Sequence, residues 1–174
     1  MTDPVPMELV GVRLELPTQT PILLLRESAG TRYLPIWIGT NEASAIALAL
    51  EGFEPERPMT HDLLRLVVEA LGASVERVVV TELSGGTYFA DLVMRRNGDE
   101  VHLSARPSDA VALAARTATP LFAARAVLDE VGVEIQESAI GEDGEPVEEE
   151  DEIDAFREFL ADVQPDDFDT GGQG

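Results

Sequence analysis

The sequence predicts an α+β fold: a single compact domain with three to four helices and a mixed, mainly antiparallel sheet or sheets. Three observations carry that reading. Three short apolar runs follow one another between residues 7 and 38, close enough to pair as an antiparallel meander. A second series of short strands, over 75–105, is punctuated by Gly85-Gly86 and Asn97-Gly98, the residue pairs that tight hairpin turns need. Between and after these runs lie stretches with apolar residues at helical spacing, and 174 residues suffice for one real core plus a tail.

Taken in order, 7–16 alternates loosely, with Leu9, Val12, Leu14 and Leu16 apolar, and reads as a strand ended by Pro17. Residues 21–25 form a wholly apolar strand, and 33–38 a third after the turn signal at Gly30. Gly39 breaks the run, and Thr40 or Asn41 is expected to cap a helix through about 51, with Glu42 favourably placed in its first turn. That helix is alanine-rich and apolar nearly all round, so it is either central in the fold or part of a subunit contact. The segment RPMTHDLLRLVVEALGA predicts a helix capped by Thr60 and stopped at Gly72. Leu63, Leu64, Val67, Val68 and Leu71 share one face of it, which is expected to pack in the core. Strands follow at 75–83, 87–95 and 100–105.

The stretch ARPSDAVALAAR, 105–116, then starts another helix. Pro107 suits the first helical position, and Ser108 and Asp109 suit the first turn. The apolar residues from Ala110 to Ala115 let its body be buried on most sides. A short edge strand at 120–123, a helix at 124–131 closed by Gly132 and a last strand at 133–136 complete the domain, 1–136.

Charge divides the chain. Residues 137–174 hold 15 of the 34 acidic side chains and one arginine, a net of −14, which leaves −8 for the rest. Few apolar residues accompany those charges, so the segment reads as a disordered acidic tail. Its exception is IDAFREFLADV, 153–163, where apolar residues at helical spacing describe a helix that docks on a protein partner or on its own domain. The acidic balance of the domain argues against loose, sequence-independent binding to nucleic acid through a basic surface. All 12 basic residues other than histidine are arginine, which favours fixed bidentate pairing over a diffuse charge cloud. With no cysteine there are no disulfides, thiolate metal sites or cysteine nucleophiles. No run has the length of a signal sequence or a membrane span, so the protein is expected to be soluble and cytoplasmic, with no membrane partner.

Two stretches rhyme. Arg57, Pro58, Thr60, His61 and Asp62, like Arg106, Pro107, Ser108 and Asp109, set an Arg-Pro entry just before hydroxyl and carboxylate residues in a first helical turn. Brought together, such starts would face one cleft with backbone donors, arginines, carboxylates and a histidine, a set suited to phosphodiester hydrolysis. In that reading His61, Asp62, Asp109 and Arg106 are catalytic, and Arg57, Thr60 and Ser108 bind the substrate. Asp62, Asp109, Glu42 and Asp91 are candidate ligands for a divalent magnesium or manganese ion. The alternative needs no ligand: two ordinary N-caps with arginines anchoring their loops. His102 is expected to be a half-buried strand residue, and Tyr33, Trp37, Tyr88 and Phe89 to pack within strands. Phosphate-loop, dinucleotide and nucleophile-elbow patterns are absent.

Four linked blocks, LPIWIGTNEASAIALALEG, RPMTHDLL, GGTYFADLVM and ARPSDAVALAARTATPLF, resemble in order and spacing the bifunctional nuclease domain family (domain of unknown function 151). The likeness covers about residues 7–136. It implies a compact, homo-oligomeric α+β domain with nuclease activity on DNA and RNA, and marks Glu42, Arg57, Thr60, His61, Asp62, Asp91, Arg106, Ser108 and Asp109 as positions of the family pattern. The competing expectation is a non-catalytic regulatory module. There the same residues bind a protein or small anion and the tail is a docking arm.

Overall fold

Eight strands and four helices follow one another in the computed structural model, which describes residues 3–15 and 17–134. The acidic tail at 137–174, with its expected helix at 153–163, lies outside the described residues. By contacts the chain divides into Met1–Val133 and Glu134–Gly174, and only the first is described at length.

The elements are β1 (Val5–Glu15), β2 (Thr20–Glu27), β3 (Arg32–Trp37), α1 (Thr40–Leu50), α2 (Thr60–Ala70), β4 (Ala73–Ser84), β5 (Thr87–Arg96), β6 (Asp99–Ala105), α3 (Pro107–Thr117), β7 (Leu121–Ala123), α4 (Arg125–Val131) and β8 (Val133–Glu134). All eight strands join one sheet in the order β6-β5-β4-β7-β1-β2-β3-β8; β7 runs parallel to β4, and the pairs β1–β2, β1–β7, β2–β3, β4–β5 and β5–β6 are antiparallel. The α+β class read from the sequence is the fold observed.

Each meander folds for a local reason. Gly85 and Gly86 take φ of 55° and 74° between paired Ser84 and Thr87, the two positive φ values of a type I′ hairpin. Asn97 and Gly98, at 53° and 91°, repeat the device between Arg96 and Asp99. In β2 the run Ile22, Leu23, Leu24 and Leu25 is buried on both faces, which its uninterrupted apolar sequence requires.

Three expectations are corrected here. The strand at 120–123 is not an edge: β7 lies mid-sheet between β1 and β4, with Leu121 and Ala123 buried. Three residues suffice there because they splice two meanders that are already formed. The helix caps also differ. Gly39 and Met59 occupy the N-cap positions of α1 and α2, and the Asp62 carboxylate accepts the Met59 N–H at 2.9 Å, so the third helical residue does the capping. Finally, the apolar face of α2 does not enter the core. Val68 and His61 are its buried residues, whereas Leu63, Leu64, Val67 and Leu71 remain exposed.

One cluster forms the core. Val5, Met7, Leu23, Leu25, Val78, Val80 and Leu92 of the sheet meet Ile46 of α1, Val111 and Leu113 of α3 and Leu128 of α4. The alanines of α3 allow this close seating, and Ala110, Val111, Ala112, Leu113 and Ala114 are all buried. The helix ends on Ala118 at φ 51°, a left-handed position that favours glycine. Ala118→Gly is therefore expected to stabilise the domain by about 0.5 kcal/mol in urea denaturation, less than the full strain because glycine also loosens the unfolded chain.

The sheet is rolled. β3 and β5 stand five strands apart in its order, about 24 Å if the sheet were flat. The Tyr88 hydroxyl at the start of β5 nevertheless donates to the Pro35 carbonyl of β3 at 3.2 Å. Rolling brings the two β-to-α crossings, Trp37 to Thr40 and Ala105 to Pro107, beside the same gap.

Candidate functional site

Where the roll brings β3 towards β5, a cavity of about 370 Å³ opens, lined by Trp37, Gly39, Thr87, Tyr88, Arg106 and Ser108 among others. Two helix starts, those of α1 and α3, contribute to its wall. Free N–H groups and the positive dipole ends of both helices suit an anion there. Burial pushes the Tyr88 hydroxyl up to about 12, so it stays a neutral donor.

Arg106 stands at this cavity as the N-cap residue of α3, its side chain 65% exposed. Its Nε donates to Asp109 Oδ2 at 2.7 Å, and its Nη2 lies 2.9 Å from Glu42 Oε1 in α1. On the far side of Asp109, Oδ1 lies 3.1 Å from His61 Nε2 in α2. Three helix starts are thus tied in the sequence Glu42, Arg106, Asp109, His61. Burial of Asp109 opposes its ionisation, but hydrogen bonds from Arg106 and His61 outweigh this and hold its pKa below the ordinary aspartate value. An ionised carboxylate can only accept, so in this contact His61 Nε2 is the donor. The same charge pairing raises the Arg106 pKa.

Asp62, one residue from His61, takes another direction. Its Oδ1 accepts from Arg116 Nε at 2.5 Å, and Oδ2 caps Met59. Arg116, with its side chain 8% exposed, also donates from Nη1 to the carbonyls of Ala45 in α1 and Ala112 in α3. Burial works against ionisation of Asp62, yet Arg116 and the Met59 N–H prevail and its pKa is lowered. This pair clamps α1, α2 and α3 and is held apart from the Glu42–Arg106–Asp109–His61 series by its own partners. Arg116 was not singled out in the sequence. An arginine on a helix whose body is otherwise alanine, valine and leucine is the signal that could have found it, because such a charge needs a buried partner.

The remaining candidates scatter. Arg57 and Thr60 are exposed around the start of α2, Arg57 in the preceding loop and Thr60 in the first turn. Ser108 is buried at the cavity wall. Asp91 lies in β5, where its Oδ2 meets His102 Nδ1 at 2.6 Å. His102 Nε2 reaches Glu100 Oε1 at 2.9 Å, and its side chain is 52% exposed, so the expected half-buried packing role gives way to a surface ion pair. The Asp91 hydrogen bond, with help from Glu100, raises the His102 pKa above 6.5. A raised folded pKa gives stability that is full below the unfolded value and is lost as pH rises through the folded one. The stability advantage of the parent over His102→Gln should accordingly shrink as pH is raised from about 5 to about 9, measured by urea denaturation at each pH. Of the four acidic residues read as metal ligands, Glu42 and Asp109 are drawn to one arginine and Asp62 to another. Among the described residues no three His, Asp or Glu side chains converge as a metal cage.

Fold and site together define an α+β domain with one rolled sheet, whose helix starts set an arginine in the wall of a small cavity and an Asp-His pair bonded to that arginine. The bifunctional nuclease domain matches residues 23–136, and the chain belongs to that family. An uncharacterized protein of Mycobacterium tuberculosis is 48% identical over 162 residues, 93% of this chain and 96% of that relative. Bifunctional nuclease 2 of Arabidopsis thaliana is 30% identical over 112 residues, and bifunctional nuclease 1 of Oryza sativa subsp. indica 26% over 117. The matched region covers 34% and 35% of those two plant proteins, so the likeness to them is to one part of a longer chain. Among the described residues no helix is long and apolar enough to cross a membrane.

Proposed function

We propose that this chain is a nuclease that hydrolyses phosphodiester bonds of DNA or RNA at the α1–α3 cavity. The observation that carries the reading is the contact series from Glu42 through Arg106 and Asp109 to His61, set beside a cavity walled by two helix starts. Names of the plant relatives add to it, as does membership of the family.

In this reading a phosphate sits against Arg106 and the first-turn N–H groups, which stabilise charge developing on its oxygens. His61 takes a proton from water as the water oxygen bonds to phosphorus, the ester P–O bond breaks, and the proton passes to the leaving oxygen. Asp109 fixes the imidazole and stabilises its charged form. Glu42 holds Arg106 in place. If magnesium or manganese takes part, Glu42 and Asp109 are the residues that would hold it, since one exposed guanidinium now bridges them. Two carboxylates suit a cation that keeps waters and meets substrate phosphates. The ion would supply neutralisation of phosphate charge. Because the domain is acidic, binding should rest on a few fixed contacts and depend only weakly on salt.

The test is cleavage of labelled single-stranded and duplex DNA and RNA, with and without each cation. Arg106→Ala is expected to lower kcat/KM by about 100-fold without changing the fold. A parent protein that cuts none of the substrates under any condition overturns the reading. One observation favours the non-catalytic alternative, that each acidic candidate is already engaged by an arginine or a histidine. Under it, Arg106→Ala abolishes binding of a short phosphorylated ligand while no cleavage is ever seen.

A further inference from the structure

The exposed side of α2 has the composition of an interior. At about 100° per residue, Leu66, Met59, Leu63, Val67, Leu71 and Leu64 fall within an arc of about 160° round the helix axis. All six are exposed, Leu63 at 52% and Leu71 at 58%. Ala70 falls inside the same arc, and Thr60 at the first turn is its one polar member. The residues that seat α2 on the domain, His61 and Val68, lie about 130° away from the middle of the arc. Core packing therefore explains a different side of this helix.

We propose that this arc is the contact between two copies of the chain, packed about a two-fold axis. Charge chooses the occupant. A two-fold contact sets a patch against itself, so any charge in it meets its like. Within a chain of net charge −22, an arc with no charged residue is suited to its own copy. Its nearest charged neighbour round the helix, Asp62, is paired with Arg116, and the next two, Glu69 and Arg65, pair with each other at 2.7 Å, so the border brings no net repulsion.

Area agrees. Side chains of this kind left half exposed amount to roughly 50 Å² apiece, so the arc offers about 300 Å² of apolar surface. That is the size of the largest patch a typical monomer exposes, and a little over a third of the roughly 800 Å² a standard interface takes from each partner. The polar borders of the helix would supply the rest. Association would hold α2, and with it His61, against α3 from outside, but the contact does not depend on the chemistry at that residue.

Light scattering and sedimentation of the full chain test this. At micromolar concentration the parent is expected to be a dimer, and Leu63→Glu with Val67→Glu a monomer with an unchanged far-UV spectrum, its dissociation constant raised at least about 30-fold. Since the chain has no cysteine, Val67→Cys should form a disulfide-linked dimer on mild oxidation, whereas Glu82→Cys, on an exposed strand position, should not. A parent that stays monomeric, or a dimer that survives both glutamates, overturns the proposal. So does a dimer lost in Phe156→Glu with Leu160→Glu while α2 is intact, because residues 153–163 would then be the occupant.

Discussion

Replacing Arg116 by methionine is expected to destabilise the domain by about 3 kcal/mol, the largest single effect predicted outside the apolar core. Methionine keeps most of the volume, so the cost is electrostatic. Asp62 loses the guanidinium that offsets its burial, and the carbonyls of Ala45 and Ala112 lose a donor. The figure sits at the low end of the range for buried pairs because 19% of the Asp62 side chain still meets water. Urea denaturation measures it. The double variant Arg116→Met, Asp62→Leu should recover much of the loss, since removing both charges leaves neither one unpaired. If the single variant costs under about 0.5 kcal/mol, the three-helix clamp is ornamental.

Acid should act on the same clamp. Asp62 and Asp109 both have folded pKa values lowered from the ordinary 3.8, so each contributes stability that is present above that value and is lost as pH falls through the folded one. Asp62→Asn should flatten the stability profile below about pH 4 relative to the parent.

His61→Ala and Asp109→Asn are expected to lower kcat by about 10²- to 10⁴-fold if the proposed hydrolysis is right. The two losses should not add, because both variants remove one unit: the proton acceptor and the carboxylate that orients it. The double variant should fall no further than His61→Ala alone. Asp109→Asn also deprives Arg106 of an ionised partner at 2.7 Å, so its KM should rise where that of His61→Ala does not. Cleavage that is unchanged in both single variants, with the fold intact, would place the chemistry elsewhere in the molecule.

Local sequence determined most of the elements. Gly85-Gly86 and Asn97-Gly98 specify their hairpins through backbone conformation alone, and the all-apolar β2 had to be buried on both faces. Pro107 opens α3 where its missing N–H costs nothing. The four family blocks made the ancestry legible. At the site, the rhyme between 57–62 and 106–109 falls on two helix starts that touch through His61 and Asp109 at 3.1 Å, while Asp62 turns elsewhere.

Partner choice was decided only in three dimensions. Asp62 and Asp109 look alike in sequence, each in the first turn of a helix beside an Arg-Pro pair, yet one turns to Arg116 and the other to Arg106. Those pairings span 54 residues and 3 respectively, and nothing in local spacing distinguishes them. Likewise β7 is central because two meanders close round it, and the apolar stripe of α2 faces outward because α3 and β4 accept only the side bearing His61 and Val68. Periodicity says that a helix has an apolar side. Whether that side meets the same chain, another copy or water is set by which surfaces remain once the sheet has rolled.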